Sequence, residues 1–127
     1  MVNFSWVSAQ TWTSAQLEKA NTAKDIAFLT PDEKEAILYI NLCRLYPQDF
    51  LKNELVQYYG TVEHGNYVKN SPYRESLMKL LGTMQPVNAL YFDGEAYKDA
   101  KCLAKEQGES GAIGHKRKNC KADYDAE

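Results

Sequence analysis

Between Thr30 and Leu45 apolar side chains fall on almost every side of one helical stretch, and a segment patterned this way must be covered by other protein. Thr30-Pro31-Asp32-Glu33 is a strong helix start. Thr30 can accept from the amide three residues on while Glu33 reaches back, and Pro31 occupies the first helical position, where no backbone bond is lost. Ala36, Ile37, Leu38, Ile40, Leu42, Cys43 and Leu45 follow, with Asn41 and Arg44 as the strongly polar interruptions. The pattern predicts a central helix covered over most of its circumference.

Other helices are arranged around it. Residues 1–29 read as an N-terminal arm, with Trp6 and Trp12 in a Ser/Thr-rich start and a short helix over Ala15 to Phe28, packing onto the body through its aromatics. Pro47 disfavours helical geometry at Tyr46 and can open a second helix in which Leu51, Leu55 and Tyr58 share a face, with Gly60 as its stop. Residues 61–70 read as a loop. A third helix opens at Ser71-Pro72, carries Tyr73, Leu77, Leu80 and Leu81 as a core stripe, and ends near Gly82. Thr83 to Phe92, broken by Pro86, suits extended chain. Asp93 can cap a fourth helix whose Ala96, Ala100, Leu103 and Ala104 would let it lie close to a neighbour; Gly108 and Gly111 end it, and Gly114 delivers His115 onto a loop. Strand signals are scarce, which sits awkwardly with any mixed α/β architecture.

A length of 127 residues suits one domain, 44% of the residues are apolar, and 15 basic against 17 acidic residues leave a net charge of -2. Mixed charges of this kind supply no field for a nucleic-acid backbone or an anionic membrane, and the cluster His115-Lys116-Arg117-Lys118 with Lys121 reads as a solvated loop. No window is apolar enough to span a bilayer, and the opening residues lack the basic start and apolar run of an export signal. Of three cysteines, Cys43 lies in an apolar helix as a small hydrophobe, whereas Cys102 and Cys120 are the better disulfide candidates in an oxidising compartment.

Few residues suggest chemistry. The two histidines are His64, in a predicted loop, and His115, which a glycine-flanked loop can hold at the mouth of a cleft. His115 with Glu127 or Asp123 fits no familiar zinc spacing, no cysteine or serine lies in a recognisable nucleophile frame, and there is no glycine-rich phosphate loop. The residues by themselves describe a helix-rich domain without an assigned reaction.

Leu90-x-x-Asp93-x-x-x-Tyr97-x-x-Ala100-x-x-x-Ala104 followed by Gly111-Ala112-Ile113-Gly114-His115 resembles the N-terminal half of the CAP superfamily, the cysteine-rich secretory, antigen 5 and pathogenesis-related proteins. Ile40-Asn41-Leu42-Cys43-Arg44 is similar to the first core helix of that family, and the approach Asn21-Thr22-Ala23-Lys24-Asp25 resembles a bacterial secreted branch. The resemblance implies an α+β fold of CAP type, an α-β-α sandwich, over residues 30–127. Here it would be helix-dominated and lack much of the sheet. It implies a cleft that can hold a divalent metal such as zinc, with His115 as its first histidine and Glu127 as the family's signature glutamate, although Ala126 stands where the family has glycine.

What the resemblance implies for function is a secreted, periplasmic or extracellular binding protein that recognises a lipid, a peptide or a cell-surface component. His115 and Glu127 would supply half of a metal site, and an incompletely covered central helix would favour self-association. Two alternatives stand beside it: a metal-assisted hydrolase active only as a longer chain, and a structural helical interaction module.

Overall fold

The computed structural model describes residues 12–58 and 71–120. Among these it is helix-dominated and contains no strand. The chain divides into two compact units, Met1–Leu90 and Tyr91–Glu127.

In the first unit α1 (Ser14–Ala20) begins with a capping box between Thr13 and Gln16. The helix predicted to reach Phe28 stops at Ala20 because the Ala20 carbonyl is spoken for. It accepts the Asn41 side-chain amide at 2.9 Å and the Thr22 N–H at 2.9 Å, while the Lys24 N–H that would have continued the helix turns to Asn21 instead. Residues 21–29 are accordingly turns, with Ala23 and Leu29 buried.

α2 (Pro31–Leu45) starts on the Thr30/Glu33 capping box that the sequence announces. Its burial is narrower than the sequence suggests. Asn41, Leu42 and Leu45 are buried, whereas Ile40 is 48% exposed and Tyr39 39%. Only one side of the helix is covered among the described residues. Leu42 and Leu45 pack with Ala20, and Trp12, Leu38, Tyr46, Phe50 and Ala89 close around them. Trp12 lies 6.1 Å from the Tyr46 ring and 6.4 Å from Phe50, with its Nε1 donating to Glu54 at 2.7 Å. Trp6 lies outside the described residues.

Tyr46 leaves helical geometry (φ −138°, ψ 59°) before Pro47, as a residue preceding proline is disposed to do. Helical chain resumes as α3 (Pro47–Phe50), a π-helical turn (Leu51–Leu55) and α4 (Val56–Tyr58). In the π turn the Val56 N–H reaches back to the Leu51 carbonyl, one residue further than in an α-helix. The expected stop at Gly60 and the loop over 61–70, with His64, lie outside the described residues. α5 (Pro72–Thr83) is capped by Ser71. Its stripe was expected in the core, but only Leu81 is buried; Tyr73, Leu77 and Leu80 are 78%, 38% and 58% exposed. An apolar spacing specifies a face and says nothing of whether a partner covers it.

The chain from Met84 to Leu90 runs extended across α2 without forming a strand. The two polar interruptions of α2 are what hold it. Asn41 Oδ1 accepts the Leu90 N–H at 2.7 Å and its amide donates to the Leu90 carbonyl at 3.0 Å, so one side chain copies the paired bonds of a sheet ladder. One turn on, Arg44 Nε donates to the Asn88 carbonyl at 2.9 Å, and the Arg44 carbonyl, a helix-end acceptor without an intrahelical partner, takes the Val87 N–H at 2.9 Å. Gln48 adds a bond to the Met84 carbonyl at 2.6 Å.

In the second unit Asp93 caps α6 (Gly94–Ser110), accepting the Ala96 N–H at 2.8 Å, and Phe92 packs on Tyr97 with ring centroids 5.5 Å apart. The helix runs through Gly108 and ends where Gly111 adopts φ 66°. A left-handed residue is the ordinary way for a helix to stop, and glycine adopts it without a side-chain clash. The small-residue face expected to pack closely is not buried: no residue of α6 is. No helix among the described residues is long and apolar enough to cross a membrane.

Candidate functional site

Two features merit chemical scrutiny, one in each unit. The first is the loop over residues 111–120 that carries His115. Beyond the bonds of the helix end itself, three ties from α6 reach along it. Cys102 is disulfide-bonded to Cys120 across a Cα–Cα distance of 5.9 Å. One turn along the helix, the Glu106 carboxylate accepts the Lys118 N–H at 3.1 Å and the Asn119 N–H at 2.8 Å. Gln107 Nε2 donates to the Gly114 carbonyl, the group immediately before His115. Gly114 itself takes φ 97°. His115 is thus carried on a tied glycine turn, and its side chain is exposed.

The amides of Lys118 and Asn119 bond the ionised form of Glu106 and hold its carboxyl below the usual carboxylate range. A lowered folded-state value means that the contribution is complete at neutral pH and is lost only as pH falls through that lowered value. The amide proton shifts of Lys118 and Asn119 should therefore stay constant down to the ordinary glutamate value of about 4.3 and move together below it. A shared midpoint at or above that value would show that the carboxylate does not hold these amides.

As a metal centre the described donors do not suffice. Zinc takes three or four protein ligands, whereas no group of three or more His, Cys, Asp or Glu side chains gathers among the described residues. Of the expected pair, His115 offers one imidazole on an exposed loop and Glu127 lies outside the described residues. Cys43 is a half-buried free thiol, and partial burial pushes its pKa up, so it is protonated at neutral pH and poorly disposed to act as a nucleophile.

The second feature is an open groove of about 650 Å³ in the first unit, lined by Leu55, Tyr58, Tyr73, Leu77 and Leu80 with Ser71, Arg74 and Ser76. Its volume falls in the range of small-molecule sites. Both serines are engaged by their own helix: Ser71 Oγ accepts the Tyr73 N–H and the Ser76 hydroxyl donates to the Tyr73 carbonyl at 2.9 Å. The wall that remains is mainly aliphatic and aromatic.

Sequence reasoning assigns the α5 stripe to the core and so misses this groove. It also passes over Glu106, although Cys102 and Glu106 stand four residues apart and so share a helix face, a spacing that could have marked the carboxylate as a neighbour of the disulfide. Comparison of the chain with family models, with curated proteins and with solved structures returned no match.

Proposed function

We propose that this is a secreted CAP-like binding protein whose ligand is an apolar chain of lipid type, taken up without turnover. The groove between Leu55 and Leu80 carries the reading, because its walls offer apolar area while its serines are already engaged by backbone. Beyond the serines, the polar groups of the lining are the Arg74 guanidinium and the hydroxyls of Tyr58 and Tyr73, so a polar peptide would lose more hydration along the leucines than an acyl chain, which loses only unfavourable contact with water. Secretion is supported by the Cys102–Cys120 disulfide, a bond that persists in oxidising compartments. The family assignment is supported by the helix, glycine turn and exposed histidine that follow one another from Gly94 to His115.

A displacement titration with a fluorescent long-chain fatty acid tests the groove. Leu80 is half exposed, so Leu80→Asp should leave the fold intact while weakening binding by about 10-fold, the loss expected from removing a few methylene contacts and adding a charge. Equal affinity in both proteins, or no saturable binding in either, would overturn the reading.

His115 and Glu127 stay in the proposal as the pair that would contribute to a metal site. Zinc titrated into the chain and into His115→Ala should show affinity lost in the variant. Equal affinity removes His115 from the proposal.

A further inference from the structure

The second unit is held together differently from the first. None of residues 91–120 is buried, so no apolar core fixes the chain that follows α6. Past Ala112, the described ties of the 111–120 loop to the helix are the disulfide, the Glu106 carboxylate and the Gln107 amide. The hydrogen bonds are solvent-exposed, and exposed polar contacts of this kind contribute little against the entropy of an open loop. The covalent bond, closing a loop between residues separated by 18 positions, is the dominant constraint. Cys102 is an exposed residue and Cys120 a partly buried one, so the bond lies near the surface of the unit, where thiol exchange depends on access.

We propose that the Cys102–Cys120 disulfide is a redox latch on the histidine-bearing loop, opened by a dithiol reductant. A reductant thiolate attacks Cys102 Sγ and the Cys120 sulfur leaves as a thiolate, which takes up a proton. The second reductant thiol then attacks the mixed disulfide, releasing Cys102 as a thiol. Two electrons and two protons pass to the protein, and the dithiol becomes a cyclic disulfide. In the closed state the amides of residues 118 and 119 sit on Glu106 and Gly114 is fixed beside Gln107. In the open state these bonds stand alone, and the loop leaves the helix face. The latch governs how His115 is presented and does not depend on whether that imidazole binds a metal.

The test uses the full chain in a Cys43→Ser background, so that one redox pair is present, with no metal added. Backbone amide exchange is followed by NMR before reduction, after dithiothreitol, and after reoxidation. Exchange of the Lys118 and Asn119 amides should quicken on the order of 100-fold on reduction, the factor that a constraint on a loop of this size supplies, and should slow again on reoxidation. The α2 amides should not change. A Cys102→Ser, Cys120→Ser variant should reproduce the reduced state. Unchanged protection at Lys118 and Asn119 on reduction would overturn the latch, since the hydrogen bonds alone would then hold the loop. Parallel loss of protection in α2 would overturn it too, by making the disulfide a staple of the whole fold.

Discussion

Asn41→Ala should lower the stability of the first unit by about 3 kcal/mol, the sum of a stranded amide, lost side-chain bonds and a small cavity. Asn41 is fully buried, and its amide has three acceptors within reach: the Ala20 carbonyl, Thr22 Oγ1 and the Leu90 carbonyl. Two hydrogens serve them, so one bond is shared. Its oxygen is the partner of the Leu90 N–H at 2.7 Å. Alanine leaves that N–H without its acceptor and loosens the Leu90 end of the extended segment, which Arg44 and Gln48 still hold at Asn88, Val87 and Met84. The carbonyls are less exposed to loss, since Ala20 still receives the Thr22 N–H and Leu90 still receives the Thr22 hydroxyl. Asn41→Asp is no remedy: a carboxylate can accept from Leu90 but presents lone pairs to the carbonyl oxygens of Ala20 and Leu90 in a buried site. Urea unfolding of both variants decides the matter, and a loss below 1 kcal/mol for alanine would show that the polar hub does not hold the segment.

A loss of similar size, about 3 kcal/mol, is expected from Leu42→Ala, within the range measured for deleting buried leucine side chains. Leu42 is 1% exposed and packs in the cluster with Ala20 and Leu45. The informative control is Ile40→Ala, two positions away on the same helix. Ile40 is 48% exposed and should cost under about 1 kcal/mol, as surface changes generally do. Denaturant midpoints for the pair would locate the covered side of α2 directly. Equal losses, or a larger one at Ile40, would contradict the packing described.

The contrast between those two residues also shows how far the sequence could be read. Thr30, Pro31 and Glu33 marked the start of α2, Pro47 its successor, Ser71-Pro72 and Asp93 the later helices, and Gly111 the last stop. Each signal acts within one helical turn, through a side chain and a neighbouring amide, so it survives without tertiary context. The pairing of Cys102 with Cys120 was likewise the favoured choice on sequence grounds, and it is formed. The π turn at Leu51–Leu55 carries no such mark, and a helical period of 3.6 cannot anticipate it.

The candidate sites were less legible. The glycine turn before His115 was legible, but the Glu106 and Gln107 contacts join residues between 7 and 13 positions apart and depend on how the loop folds back. The groove went unseen because Tyr73, Leu77 and Leu80 have the spacing of a buried stripe.

By itself, then, the amino-acid order marked where α2, α3, α5 and α6 begin and where α6 stops, that extended chain follows α5, and which two cysteines were the better candidates to join. Tertiary structure alone decided which side of each apolar helix is covered, that α1 ends at Ala20, and that Asn41 and Arg44 serve as clamps. The reason is one of range. Caps and turns are settled by bonds between near neighbours, whereas burial is a property of two surfaces, and the second surface is supplied by chain far away in sequence.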